Sequence, residues 1–242
     1  MRYLDLTFPT PQENLACDEA LLEGCEAETL EEEILRVWEP REIFVVLGRS
    51  SRIREEVDLA ACQACRVPVL RRISGGGTVL QGPGCLNFSL FLNIDGRPAL
   101  RNVTETNVFI LRRHCGILES LLKKPVAHQG LTDLTVGTLK VSGNAQRRMR
   151  RTVLFHGTFL LNLEFRLIHR LLPVPTRQPS YRDSRPHADF LMNLSLDAGV
   201  VQEALRSEWQ ALEPLSARQI PSDWIQQLAT DRYLRDSWTY RF

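Results

Sequence analysis

No stretch of the 242-residue chain approaches the ~18–20 consecutive apolar residues that a bilayer-spanning helix requires. The first residues, Met1-Arg-Tyr-Leu-Asp-Leu, lack the basic patch and following apolar core of a secretory signal. Both absences make the cytoplasm the expected address and give no reason to expect a membrane partner. Net charge is only +1, so no global field marks a nucleic-acid partner either. Cysteine is sparse: six residues, at 17, 25, 62, 65, 85 and 115. In a reducing compartment disulfides are not expected. Cys62-Gln-Ala-Cys65 is a lone CxxC in an expected helix, with no second ligand pair near it. A metal site takes about four ligands, so these thiols read as buried or half-buried, and no protein metal site is assigned.

What is present is ordinary for a globular protein, with 43% hydrophobic and 24% charged residues and no internal repeat or low-complexity tract. The length fits one large domain spanning 1–242, big enough to bury a core without staples. Helical spacing of Leu15, Ala16, Leu21 and Leu22 predicts a helix over 11–27. Ile34–Trp38 and Ile43–Leu47 read as strands, the second running into Gly48-Arg49. A helix is expected over 55–65 and a strand over Pro68–Ile73. Leu86–Leu92 alternates as a strand. The longest helical pattern covers 104–122, with Val108, Leu111, Cys115, Leu118 and Leu122 on one side. Asp133–Val136 and Leu139–Ser142 form an expected hairpin around Gly137-Thr138, followed by a strand over Thr152–Leu163. The Pro-, Arg-, Ser- and Asp-rich stretch 173–190 reads as a long loop, and 196–242 as helical or mixed. Strands joined by short turns, with helices interleaved, predict an α/β (α+β) fold with a mixed, largely antiparallel sheet.

Arg71-Arg-Ile-Ser-Gly-Gly-Gly-Thr-Val79 is the most informative segment. Gly75, Gly76 and Gly77 expose backbone N–H groups and let a ligand press against the main chain. Arg72 has the fork geometry for a phosphate or carboxylate, and Ser74 and Thr78 add hydroxyls. No Gly-Lys-Ser/Thr follows, which excludes a Walker loop, and the GxGxxG spacing of a dinucleotide fingerprint is absent. A second tight turn, Gly82-Pro-Gly84, adjoins this loop and implies a shaped concavity.

The second constellation is Lys140-Val-Ser-Gly-Asn-Ala-Gln146. A lone lysine on a strand is usually a solvated charge. Here it follows a tight turn and neighbours Asp133, Asn144 and His156-Gly-Thr158. A lysine ammonium suits the joining of a carboxylate to AMP, because that reaction brings two anions together and needs a fixed cation.

Together these segments resemble the lipoate–protein ligase family, within the wider biotin/lipoate ligase and octanoyltransferase superfamily. The resemblance runs from about Trp38 to Asn162. It is carried by Val37-Trp38, Leu47-Gly-Arg49, Arg71–Val79, Gly130-Leu-Thr-Asp-Leu134, Lys140–Ala145 and His156-Gly-Thr158. It implies a sheet with helices similar to class II aminoacyl-tRNA synthetases and biotin ligases. The implied activity is ATP-dependent conversion of lipoate or octanoate to acyl-AMP, then transfer to a lysine of a lipoyl-domain protein. It further implies that Arg72, Ser74, Gly75–Gly77, Thr78, Asp133 and Lys140 hold ATP and the acyl-adenylate, with Lys140 at the reacting carbonyl. Magnesium would accompany ATP, with Asp133 as the nearby carboxylate. The lipoyl pocket would draw on Trp38, Arg49, Val79, Gly143, His156, Gly157 and Thr158.

Three departures bear on this reading. Gln81-Gly-Pro-Gly-Cys85 stands where ligases often have His-Asp-x-Gly-Asn. Only about 80 residues follow Asn162, so an accessory C-terminal domain is not expected and a separate small subunit could supply it. Cysteine-dependent relatives place their nucleophile just before the lysine strand or after it, yet 128–138 and 141–163 contain no cysteine. The alternative of an octanoyl or lipoyl transferase using a thioester therefore rests on Cys85. A biotin ligase or a non-catalytic lipoyl-binding subunit are further alternatives. The cluster Arg147, Arg148, Arg150 and Arg151 is read as a solvated hairpin end or a contact for an acidic acceptor.

Overall fold

A computed structural model describes residues 1–175 and 178–242. An eight-stranded sheet carries the architecture. Its strands in chain order are β1 (Arg2–Asp5), β2 (Ile34–Trp38), β6 (Cys85–Asn93), β7 (Ala127–Gln129), β8 (Asp133–Val136), β9 (Leu139–Arg148), β10 (Thr152–Leu160) and β11 (Glu213–Pro214). A second sheet holds β3 (Phe44–Leu47), β4 (Val69–Arg71) and β5 (Val79–Gln81). The large sheet is ordered β11-β1-β2-β6-β10-β9-β8-β7 and the small one β4-β3-β5. Pairing is antiparallel from β2 to β7, with parallel pairs at β1. The expected mixed, largely antiparallel architecture is therefore present.

Alternation sorts the large sheet into two faces. One face carries Leu35, Val37, Leu86, Phe88, Leu90, Phe155 and Phe159, buried against α4 (Val103–Leu122) and α7 (Ala198–Glu208). The other carries Arg36, Trp38, Asn87, Ser89, His156 and Thr158. Helix α1 (Pro11–Glu26) covers part of it, its start fixed by a capping box between Thr10 and Glu13 with Pro11 in the first turn. The buried Arg36 guanidinium donates to Asp18 at 2.6 Å and to the Asn14 side chain and the Leu6 carbonyl, while Ser89 donates to the second Asp18 oxygen. Every charge on this interface has a partner, as burial demands.

Several expectations need correcting. The helix foreseen over 55–65 is two: α2 (Ile53–Glu56) and α3 (Leu59–Cys65), separated where Asp58 caps the second by accepting from the Ala61 N–H. The strand foreseen over Pro68–Ile73 contracts to Val69–Arg71, because the following residues turn into the glycine loop. On α4 the buried face is Thr106, Asn107, Ile110, Leu111, His114, Ile117 and Leu118; Val108 faces solvent. The stretch 173–190, whose residues 176–177 lie outside the described residues, holds a tight turn at Ser180–Arg182 and α6 (His187–Phe190). Short β1 and β7 gave no pattern long enough to recognise. No helix among the described residues is long and apolar enough to cross a membrane.

Candidate functional site

Strand register places the site. Asp133 pairs with Gly143, Gly143 with Thr158, Thr158 with Asn87 and Asn87 with Trp38, giving one row across five strands on a single face. The next row on that face is Ala145, His156, Ser89 and Arg36. Lys140 lies three residues from Gly143 and should point to the other face. A bulge between Leu134 and Thr135 in the β8–β9 ladder shifts the register so that Thr135 pairs with Lys140. One extra residue on β9 returns Lys140 to the face of Asp133.

Lys140 Nζ contacts Asp133 Oδ1 at 2.7 Å, and the Tyr181 hydroxyl donates to Asp133 Oδ2 at 2.7 Å. The lysine lies across Gly143, where a Cβ would come within 2.9 Å of Nζ. Burial, then the Asp133 charge, raises the Tyr181 hydroxyl well above its ordinary value, so it remains a donor.

The glycine loop reaches the same face through His156. Ser74 Oγ accepts from Arg72 Nε at 3.1 Å and lies 2.5 Å from His156 Nε2. Burial, with Arg72 close by, pushes His156 down to about 3, so the ring is neutral and shares one hydrogen bond with the Ser74 hydroxyl at Nε2. Arg72 itself is buried, and Nη2 donates to the carbonyls of Gly75 at 2.6 Å and Gly77 at 2.9 Å. The guanidinium thus organises the loop from beneath and turns those carbonyls inward. Gly76 takes a φ of +85°. The three glycines are exposed, and their N–H groups have no partner among the described residues, which leaves them free to donate to a ligand. Thr78 is engaged through both its N–H and its hydroxyl with Glu56.

The residues expected to line a lipoyl pocket divide. Trp38, Gly143 and Thr158 share the first row and His156 the second. Gly157 points to the opposite face, where a Cβ would overlap the Asn144 amide. Arg49 is exposed beside Arg147, and Val79 sits half-buried on β5. Gln81 donates to Thr158 at 2.7 Å, Thr158 donates to Asn87, and Asn87 donates back to Gln81 at 3.1 Å. That closed triangle ties the small sheet to the large one and uses the Gln81 that departs from the family pattern.

Sequence reasoning missed Arg71 and Tyr181. Arg71 is fully buried and donates to the carbonyls of Gly48, Ser51 and Thr239; an Arg-Arg pair does not reveal which member faces inward. Tyr181 lay in a stretch read only as loop. The arginine cluster also splits up. Arg148 donates to Leu100 O and Thr106, and Arg151 pairs with Glu28 and Asp95, while Arg150 is exposed.

The family model of the lipoyl protein ligase A/B catalytic domain matches residues 10–198. The chain belongs to that family. It is 27% identical over 247 residues to lipoate–protein ligase 1 of Staphylococcus aureus, covering 98% of this chain and 71% of that protein. It is also 24% identical over 276 residues to the octanoyltransferase LipM of Geobacillus kaustophilus, covering 99% and 98%. Among solved structures, a bi-partite lipoate protein ligase from Thermoplasma acidophilum superposes with a TM-score of 0.78 at 21% identity, over 99% of this chain and 95% of that one. A lipoate-protein ligase A bound with ATP gives 0.79 at 21%, over 99% and 98%. The relatives therefore include both ligases and transferases.

Within this family the thiols are informative. Cys85, the candidate nucleophile, is fully buried, and burial pushes its thiol up to about 12. Magnesium finds no ready cage, since no three His, Cys, Asp or Glu side chains converge among the described residues. Both Asp133 oxygens are already engaged.

Proposed function

We propose that the chain is an ATP-dependent lipoate–protein ligase acting as one catalytic unit. It would convert lipoate or octanoate to acyl-AMP and pass the acyl group to a lysine of a lipoyl-domain protein. The observation that carries this reading is a fixed cation, Lys140, on the sheet face that the glycine loop adjoins, with no cysteine in 128–138 or 141–163 on either side of it in the sequence.

The chemistry follows from those groups. A carboxylate oxygen of the acid attacks the α-phosphorus of ATP, and pyrophosphate leaves. Both reactants are anions, and the Lys140 ammonium offsets their repulsion and then the charge on the acyl carbonyl oxygen. Exposed N–H groups of Gly75, Gly76 and Gly77 take phosphate oxygens. The neutral acceptor amine then attacks the carbonyl, AMP leaves with the electron pair of the broken C–O bond, and the amine's spare proton passes to water. Neutral His156 supports the loop through Ser74 and takes no part in proton transfer. The acyl chain is assigned to the same sheet face, and each methylene it buries there contributes ~0.8 kcal/mol. Magnesium would arrive with ATP; no protein cage is assigned to it.

A second reading is favoured by one observation: the chain matches nearly the whole length of an octanoyltransferase but 71% of a ligase. Under the ligase reading, we propose that a separate accessory subunit takes part; the similar Thermoplasma acidophilum ligase is itself bi-partite.

The test uses purified chain, a lipoyl-domain acceptor, lipoate and Mg-ATP, with and without Lys140→Ala. An ATP-dependent mass gain on the acceptor, reduced about 10²–10³-fold in the variant, is expected. Transfer from an octanoyl-carrier thioester without ATP, abolished by Cys85→Ala, would overturn the ligase reading. If neither donor works, synthetic lipoyl-AMP tests transfer alone and separates a missing accessory subunit from an inactive site.

A further inference from the structure

A lysine beside an activated acyl group faces a chemical hazard. Its neutral amine is the same nucleophile as the acceptor's, and it is closer. The chain carries only three lysines, Lys123, Lys124 and Lys140. Lys123 caps the end of α4 and Lys124 follows it, both exposed. Lys140 alone stands at the site, so what keeps it from taking the acyl group becomes a structural question.

Geometry answers it. Asp133 Oδ1 holds Nζ at 2.7 Å, and Tyr181 holds the second oxygen at 2.7 Å. Asp133 is buried and Lys140 nearly so, with 21% of its side chain exposed. Other charged and titratable groups around the pair are Arg182, Arg185 and His187, all from the segment that carries Tyr181. Burial pushes His187 down to about 4, and Arg182, His169 and Lys140 add to the shift, so it stays neutral at pH 7. Arg185 is tied to the Thr138 and Tyr181 carbonyls, and Arg182 to the Arg185 carbonyl. Asp133 is thus the one carboxylate in contact with Lys140 among the described residues, and the Tyr181 hydroxyl fixes the direction in which it points. The Tyr181 ring is itself seated, 5.3 Å from the Phe190 ring and beside Gly130.

We propose that Tyr181 is a positioning residue. By fixing Asp133 it holds Lys140 in the ion pair, so that the lysine serves the reaction as a cation and is barred from acting as an acyl acceptor. The avoided step is a balanced acyl transfer. Neutral Nζ attacks the acyl carbonyl, an amide bond forms, the carbonyl–phosphate C–O bond breaks, AMP leaves with that electron pair, and the Nζ proton passes to water. An ammonium has no lone pair and cannot begin it. The proposal rests on the ligase reading for the identity of the donor, but the state of Lys140 can be read without it.

The test has two arms on the full chain. In the first, wild type, Tyr181→Phe and Asp133→Asn are labelled briefly with an amine-selective acetylating ester at pH 8. Peptide masses then give Lys140 modification relative to Lys123 and Lys124. Lys140 should lag behind the two exposed lysines in wild type, rise about threefold in Tyr181→Phe and about tenfold in Asp133→Asn. In the second, the same proteins are incubated with synthetic lipoyl-AMP and no acceptor. A lipoyl group on Lys140 is expected in the variants and not in wild type. Equal Lys140 reactivity in all three proteins overturns the proposal, as does a lipoylated Lys140 in wild type. Failure of the ligase reading looks different: wild type transfers nothing to a lipoyl domain from lipoyl-AMP, while the labelling ratios still separate the variants. Circular dichroism and the Asp133→Asn variant, which leaves the Tyr181 segment's own packing in place, guard against a Tyr181→Phe chain that has lost its fold.

Discussion

Gly48 lies directly against the carbonyl of Gly76, so closely that a methyl group on its Cα would overlap that oxygen. Ser51 also approaches the same carbonyl. The end of β3 is therefore the floor on which the glycine loop rests. Gly48→Ala should displace the loop and lower stability by about 1–3 kcal/mol. Thermal melting measures the stability, and adenylate formation should fall more steeply than the melting temperature. A variant with full adenylate formation would show that the loop can move without losing its ligand geometry.

Arg71→Met should cost at least about 3 kcal/mol, because several buried carbonyls lose their donor together. The loss should be local as well as global. Hydrogen exchange should quicken in α9 (Asp236–Thr239), since Arg71 holds the Thr239 carbonyl with two donors, at 3.0 and 2.7 Å. Unchanged exchange there would mean that the helix is held by Trp238, which donates to the Arg71 carbonyl.

His156 makes a pH dependence with a definite sign. Folded, its imidazole is pushed down to about 3; unfolded, it takes up a proton below about 6.5. Between these values the unfolded chain binds the extra proton, so stability rises with pH. The contribution is complete above about 6.5 and is lost as pH falls toward about 3, at up to roughly 1.4 kcal/mol per pH unit. Buried His114, pushed down to about 3, adds a dependence of the same sign. The diagnostic is therefore a difference. Urea unfolding at pH 7 and pH 5 should show wild type losing more stability than His156→Gln. Equal losses would assign no share to His156.

Cys85→Ser should retain acyl transfer, and Cys85 in the native protein should resist iodoacetamide while a urea-unfolded sample reacts at once. Burial removes both the access and the thiolate that alkylation needs. Rapid native alkylation accompanied by loss of transfer would favour the thioester mechanism.

The sequence carries the central strands clearly. Leu86–Leu92 alternates because its two faces meet different surroundings, and the hairpin is announced by Gly137-Thr138. Both elements stand where periodicity puts them. Period and propensity fail where tertiary partners decide. A four-residue β1 shows no pattern, and its pairing with β2 is settled by a partner some thirty residues away. The candidate site was legible as segments, since Arg72, Ser74, Asp133, Lys140 and His156 all lie in motifs. Their relations were not. Nothing in the string says that Arg72 turns under its own loop, that a bulge brings Lys140 back beside Asp133, or that Tyr181 reaches across from the 173–190 stretch. Each depends on register or on a contact between segments remote in sequence.

The bonds from Arg71 to Thr239 join residues 168 positions apart. During synthesis, the stretch that shapes the glycine loop leaves the ribosome long before the carbonyls that complete its clasp. A nascent chain can form the hairpin and much of the central sheet early, from nearby residues. The loop gains its final support only when the last turn of helix has emerged. The clasp beneath the loop is thereby deferred until both of these distant segments are present.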